Sequence, residues 1–130
     1  MIGLDTTAII DLFREDLNLK EILEKIDEPL VTTELNYIEL VFGIDHENKR
    51  AQLEEEYYDE FFNSILSFNI TRQVSKKASQ IFWNLKKIGR TIEQIDCVIA
   101  GILLTNGVQK IITRNKKHFE NIKGLEVISY

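Results

Sequence analysis

Four short β-type runs, MIGL at the start, LVTT at 30–33, KIIT at 110–113 and LEVI at 125–128, are separated by stretches whose apolar residues recur at helical spacing. That alternation is the strongest constraint on what the chain can fold into. Strands alternating with helices predict a mainly parallel sheet covered on both faces, with right-handed crossovers. The expected class is α/β, three-layered, with a central sheet of four to five strands flanked by helices. A weak strand at SFNIT would be the fifth. At 130 residues the chain can bury one core, so a single domain spanning 1–130 is expected.

The helical stretches differ in character. TTAIIDLF is the first; LKEILEKI is a short second one, with Leu19, Ile22, Leu23 and Ile26 on one stripe; a third runs from about Leu35 to Gly43. In NKRAQLEEEYYDEFFNSIL, residues Leu53, Tyr57, Tyr58, Phe61, Phe62, Ile65 and Leu66 recur near the 3.6 period and are read as core, above an acidic outer side. VSKKASQIFWNLKKIG turns Val74, Ala78, Ile81, Phe82, Leu85 and Ile88 inward, leaves four lysines to solvent and stops at Gly89. TIEQIDCVIAGILLTNG is apolar at nearly every position from Ile95 to Leu104, which predicts a helix buried on most sides. Thr91 and Gln94 have capping-box spacing at its start, and Asn106-Gly107 ends it.

Composition removes several function classes. No apolar run approaches the roughly 20 residues of a membrane span. The start has neither the basic flank nor the apolar stretch of a secretory signal, and the lone Cys97 has no partner for an internal disulfide, so a soluble, cytoplasmic protein is expected. The net charge of −5 hides an asymmetry: residues 1–65 carry 5 Lys/Arg against 17 Asp/Glu, whereas residues 66–130 carry 11 against 4. The basic half could face a polyanion, or both halves could simply be solvated.

Chemistry is expected at the carboxyl edge of the sheet, where sites form in parallel α/β folds. Asp5 ends the first strand, and Thr113, Arg114 and Asn115 end KIIT, so the topology can bring them together. Glu39 lies within a helix, and Asp96 lies near the start of the apolar one. A carboxylate there costs several kcal/mol, in order of magnitude, unless something pairs with it. Each acid also has a structural explanation. Asp5 could cap the first helix, Glu39 could be an ordinary exposed residue, and Asp96 could favour its own helix N-terminus or pair with Arg90 or Arg114. Taken together, several carboxylates from separate elements suit a hard cation such as Mg²⁺ or Mn²⁺. With one Cys and two His, zinc chemistry is disfavoured, and neither a Ser-His-Asp triad nor a glycine-rich phosphate loop is present.

In order along the chain, MIGLDTTAIIDLF, TTELNYIELVFG, IDCVIAGILLTNG and KIITRNKKHFENIKGLEVI resemble the PIN-domain ribonucleases, most closely the VapC toxins of toxin–antitoxin pairs. The resemblance spans nearly the whole chain. It implies a PIN-like fold and a Mg²⁺- or Mn²⁺-dependent endoribonuclease. Asp5, Glu39 and Asp96 match the family's acidic metal-binding residues, and Asn115 matches a fourth catalytic position that is Asp in many members. Thr113, Asn115 and Thr6 would orient water or a second ion. RNA would be drawn by Arg72, Lys86, Lys87, Arg90, Arg114, Lys116 and Lys117; a VapB-like antitoxin and a homodimer are the implied partners. Tyr57, Tyr58, Phe61 and Phe62 would then lie partly at an interface. Two departures stand out: Thr7, where the family often has Asn, and Gly101, where a second Ala is usual.

Two other readings stay open from sequence. A degenerate PIN fold could act only by binding a partner or RNA. A phosphoacceptor receiver domain has similar length and architecture, but normally needs an acidic pair near strand one and a Lys ending a late strand. Asp5 stands alone and LEVISY offers no such Lys.

Overall fold

The computed structural model describes all 130 residues. Strands β1 (Ile2–Leu4), β2 (Leu30–Thr33), β3 (Leu66–Phe68), β4 (Lys110–Thr113) and β5 (Glu126–Ser129) form one sheet in the order β3-β2-β1-β4-β5. Every pairing is parallel. The helices are α1 (Thr6–Phe13), α2 (Leu17–Glu24), α3 (Glu34–Phe42), α4 (Ala51–Ser64), α5 (Arg72–Lys87), α6 (Gln94–Thr105) and α7 (Lys116–Phe119). None is long and apolar enough to cross a membrane.

The sheet order places the site. From β1 the chain builds outward through β2 to β3, then returns to β1's other side for β4 and β5, so the winding direction reverses between β1 and β4. Ligand crevices of parallel sheets form at the carboxyl ends of strands flanking such a reversal. Gly3 sits opposite Val31 on one side and Ile111 on the other, which fixes Asp5 and the residues after Thr113 as neighbours at that crevice.

Both faces are covered, as the alternation predicts. Ile111 points into a core of α5, α6 and α7 residues, including Val74, Ile99 and Phe119. Its neighbour Ile112 points into the opposite core, with Ile9, Leu19, Leu40 and Tyr58 from α1 to α4. This period-two alternation within one buried strand is what a three-layer α/β fold requires. α6 is the most buried helix, with Cys97 and Ile99 through Leu103 all inside. Full burial of each Leu or Ile side chain contributes about 1.5–3 kcal/mol, which lets this helix carry one buried acid, Asp96.

Gly101 has its own reason. A Cβ there would stand 3.2 Å from the Val74 carbonyl oxygen and the Ala78 nitrogen, so the missing methyl lets α6 approach the backbone of α5. Gly89, at φ +68, terminates the α5 region in the left-handed conformation glycine tolerates.

Several sequence expectations need correction. Ile88 is 62% exposed and Leu53 54% exposed, and Leu66 begins edge strand β3 with its side chain outward. Ile88 is the residue after the last turn of α5, where the stripe has already rotated off the core. The Thr91–Gln94 capping box does not form. Glu93 precedes the helix in an extended conformation (ψ 148) and gives no side-chain cap, which leaves Thr91 too early to reach the first amides. The single turn α7 falls in a segment where the sequence predicts no helix, being too short for a periodic signal.

Candidate metal centre at the sheet edge

Asp5 is the hub of the carboxyl edge. Its Oδ1 accepts from the Ala8 backbone N–H at 3.0 Å and from the Thr7 hydroxyl at 2.7 Å; its Oδ2 accepts from the Thr113 hydroxyl at 2.6 Å. It is therefore the N-cap of α1 and also the group that ties β1 to β4. Burial pushes its carboxyl up from the ordinary range, and the hydrogen bonds from Thr113, Thr7 and Ala8 oppose that rise.

Thr7 is more than a departure from a pattern. Its hydroxyl donates to Asp5 and its oxygen accepts the Arg114 backbone N–H at 3.1 Å, fastening the loop after β4 to the first turn of α1. The Asn115 N–H donates to the Thr113 hydroxyl oxygen at 2.9 Å, so Asn115 is held beside Asp5 by the same threonine that binds it.

Glu39 is oriented from a second network. The Thr6 hydroxyl donates to Glu39 Oε1 at 2.6 Å and accepts from the Asn36 side-chain amide at 3.1 Å. Asn36 is fully buried, and its carbonyl oxygen accepts from the Thr33 hydroxyl at 2.7 Å. Thr6, the middle residue of LDT, thus links the element bearing Asp5 to the one bearing Glu39.

Asp96, 7% exposed, lies in the first turn of α6 and is paired with His118 from α7, Nδ1 to Oδ2 at 2.9 Å. Neither Arg90 nor Arg114 fills this role. Arg114 is held instead by Asp11, and Arg90 lies exposed ahead of α6. Burial drives the Asp96 carboxyl up to about 6; His118 opposes the rise and the nearby charge of Glu39 adds to it. The mutual repulsion of Glu39 and Asp96 is the signature of carboxylates converging from separate helices.

The predicted acids and Thr113 therefore share one edge, with Asn115 exposed at its rim. No three His, Cys, Asp or Glu side chains stand close enough to hold one ion directly. The donors are oxygens throughout, and Mg²⁺ is commonly held by one or two carboxylates while it keeps several waters. The set fits a hydrated hard cation of that kind. It does not fit zinc, since the buried Cys97 thiol lies within α6 and His118 is engaged with Asp96.

The cationic candidates divide by position. Lys117 lines a cleft of about 440 Å³ with Asp96 and His118. Lys116 and Arg90 are exposed, each next in the chain to a residue that lines this cleft. Arg72, Lys86 and Lys87 lie on α5; Lys86 is placed over the Trp83 ring, 4.7 Å from its centroid, and Lys87 borders a different cleft with Lys77 and Lys123. Sequence reasoning missed Asp11, Tyr130 and Asn36. Asp11 and Asn36 look like ordinary helix polars, and only their burial betrays them.

A parallel five-stranded sheet of this order, with buried carboxylates gathered where its winding reverses, defines an α/β protein of the PIN type. Residues 2–125 match the PIN domain, and the chain belongs to that family. No curated protein sequence matches it. Among solved structures it is similar to a chain of VapBC2 from Rickettsia felis, crystallised bound to a DNA fragment from its promoter (TM-score 0.84, 18% identity, 100% of this chain and 99% of that one). It is also similar to a chain of VapBC-1 from nontypeable Haemophilus influenzae (TM-score 0.81, 25% identity, 99% and 98%). A third match is a chain of VapBC-5 from Mycobacterium tuberculosis, a toxin–antitoxin system (TM-score 0.73, 17% identity, 98% and 97%).

Proposed function

We propose that this chain is a Mg²⁺- or Mn²⁺-dependent endoribonuclease, a single PIN unit over 1–130, acting in the cytoplasm as the toxin of a VapBC-type pair. The observation that carries the reading is the convergence of Asp5, Glu39 and Asp96 on one sheet edge of a chain that belongs to the PIN family. Full-length likeness to chains from VapBC complexes supports the toxin role.

Asp5, Glu39 and Asp96 would hold the ion, partly through water, with Asn115 and Thr113 orienting a further water. When bound, a divalent ion supplies Lewis acidity toward a phosphoryl oxygen and acidifies water at neutral pH. The protein's part is positioning. Thr7, Ala8 and Thr113 fix both oxygens of Asp5, Thr6 fixes Glu39, and His118 fixes Asp96, so the carboxylates enter the reaction already oriented. Apolar side chains left exposed on α3, Ile38 and Phe42, give an antitoxin or a second copy of the chain a surface to cover.

The test is cleavage of single-stranded RNA with Mg²⁺ or Mn²⁺. EDTA, Asp5→Asn and Asp96→Asn should each lower the rate by at least about 100-fold. Full metal-dependent activity in both variants would overturn the site assignment, and RNA binding without cleavage by the unaltered chain would favour the partner-binding reading.

A further inference from the structure

On the Glu39 side of the acids, α1, α3 and α4 leave a second cleft of about 540 Å³. Two guanidinium groups line it. Arg14 follows the last turn of α1 and Arg50 precedes α4; both are exposed, and neither forms an ion pair. That is unexpected in the half of the chain with 17 acids and only 5 cations, where carboxylate partners are abundant.

Two aromatic rings, Phe13 and the buried Tyr58, are among the residues that line the cleft, with Tyr57 behind them. Phe13 lies 4.7 Å from Tyr57 and 6.0 Å from Tyr58, centroid to centroid, and the Arg50 guanidinium carbon stands 5.9 Å over the Phe13 ring. Guanidinium groups with no carboxylate partner, lining a groove, are an element by which proteins hold the backbone phosphates of single-stranded nucleic acid, and here the Phe13 ring supports one of them. The wall nearest the sheet edge is Glu39 itself. Glu39 and Glu54 offset the two arginines, so the cleft attracts an anion most strongly once a cation has engaged Glu39. The acids thus lie between two clefts, one reached through Asp96 with Lys117 and the other through Glu39 with Arg14 and Arg50.

We infer that the Arg14–Arg50 cleft is a nucleotide subsite that holds a backbone phosphate of single-stranded RNA on the Glu39 side of the scissile bond. The inference rests on the ribonuclease reading above. It places one end of the substrate against the acidic half of the chain, away from the basic residues that the charge count alone points to.

Binding of a fluorescently labelled single-stranded RNA to the Asp96→Asn protein, with Mg²⁺ and over a range of salt, tests it without cleavage. Arg14→Ala and Arg50→Ala should each raise Kd roughly three- to tenfold near 0.1 M salt and reduce the slope of log K against log salt by about 0.7, the loss of one phosphate contact. Lys25→Ala, which removes an exposed cation already paired with Glu21, should change neither. Unchanged Kd and slope in both arginine variants would overturn the subsite, even if the unaltered chain cleaves RNA well. If the arginine variants lose affinity while the unaltered chain never cleaves, the subsite stands and the ribonuclease reading falls. If the Asp96→Asn protein does not bind RNA at all, the subsite falls.

Discussion

Asp11, buried in α1, binds the Arg114 guanidinium at 3.3 Å through one oxygen and the Tyr130 hydroxyl at 2.5 Å through the other. Arg114 lies between Thr113 and Asn115, so this pair fastens the loop that carries two site residues to the helix that Asp5 caps. Removing the carboxylate leaves a partly buried hydroxyl and a half-buried guanidinium without their acceptor. Asp11→Ala is expected to cost about 2 kcal/mol in urea unfolding, and Tyr130→Phe about 1 kcal/mol. An unchanged unfolding midpoint for Asp11→Ala would show that the tether carries no weight.

A hydrated ion bound by the native carboxylates, and not by the unfolded chain, must raise the melting temperature in proportion to the logarithm of its concentration. At a concentration one hundred times its Kd the gain is about 2.7 kcal/mol. Differential scanning fluorimetry with Mg²⁺ should show this rise for the unaltered chain and a much smaller one for Asp5→Asn. Equal rises in both would place the ion elsewhere.

The contact of Gly101 with the α5 backbone predicts a steric penalty. Alanine would gain about 1 kcal/mol in helix propensity and lose a comparable amount to the 3.2 Å contacts with Val74 and Ala78. Valine keeps the clash and forfeits most of that gain, so Gly101→Val should destabilise the fold by about 2–3 kcal/mol in chemical denaturation. A valine variant as stable as the parent would mean that α5 can move away freely.

Tyr37 on α3 donates its hydroxyl to Asp59 on α4, and this bond, reinforced by burial and by the charges of Asp59, Glu55 and Glu34, pushes the phenol up to about 12. A raised phenol pKa means that the folded state holds its proton longer than the unfolded chain, whose tyrosines titrate near 10. The stabilisation is complete below about pH 10 and disappears as pH rises through about 12. In thermal melts from pH 9 to 12, Tyr37→Phe should lose less stability than the parent over that window. Parallel curves would show that Tyr37 does not report the α3–α4 contact.

Much of the fold could be read from the chain because it rests on local patterns. The four strand runs, the apolar α6 and the lysine-flanked stripe of α5 all follow from local patterns within a few residues, whereas the weak SFNIT run overlaps edge strand β3 (Leu66–Phe68) only at Ser67 and Phe68, and its last residue, Thr71, caps α5 instead. Helix ends were less legible. Whether Thr91 or Glu93 precedes α6 depends on the backbone path into the helix. The acids could be named because Asp5, Glu39 and Asp96 follow a family pattern. Their orienting partners could not, since the hydroxyl of Thr7, the amide of Asn36 and the carboxylate of Asp11 acquire their roles only when distant elements pack. Arg14 and Arg50 escaped for a similar reason: a charge count by sequence halves cannot see two cations of the acidic half standing beside Glu39.

The hydrogen bond from Thr113 to Asp5 joins residues 108 positions apart, across two neighbouring parallel strands. Pairings this remote in sequence form slowly, because loop closure must precede any gain from the contact. A chain leaving the ribosome exposes Asp5, Glu39 and Asp96 before β4 exists to bind them together. The edge that would act on RNA is therefore among the last features the polypeptide acquires, and a growing chain stays without it until the stretch 110–115 has emerged and β4 has paired beside β1.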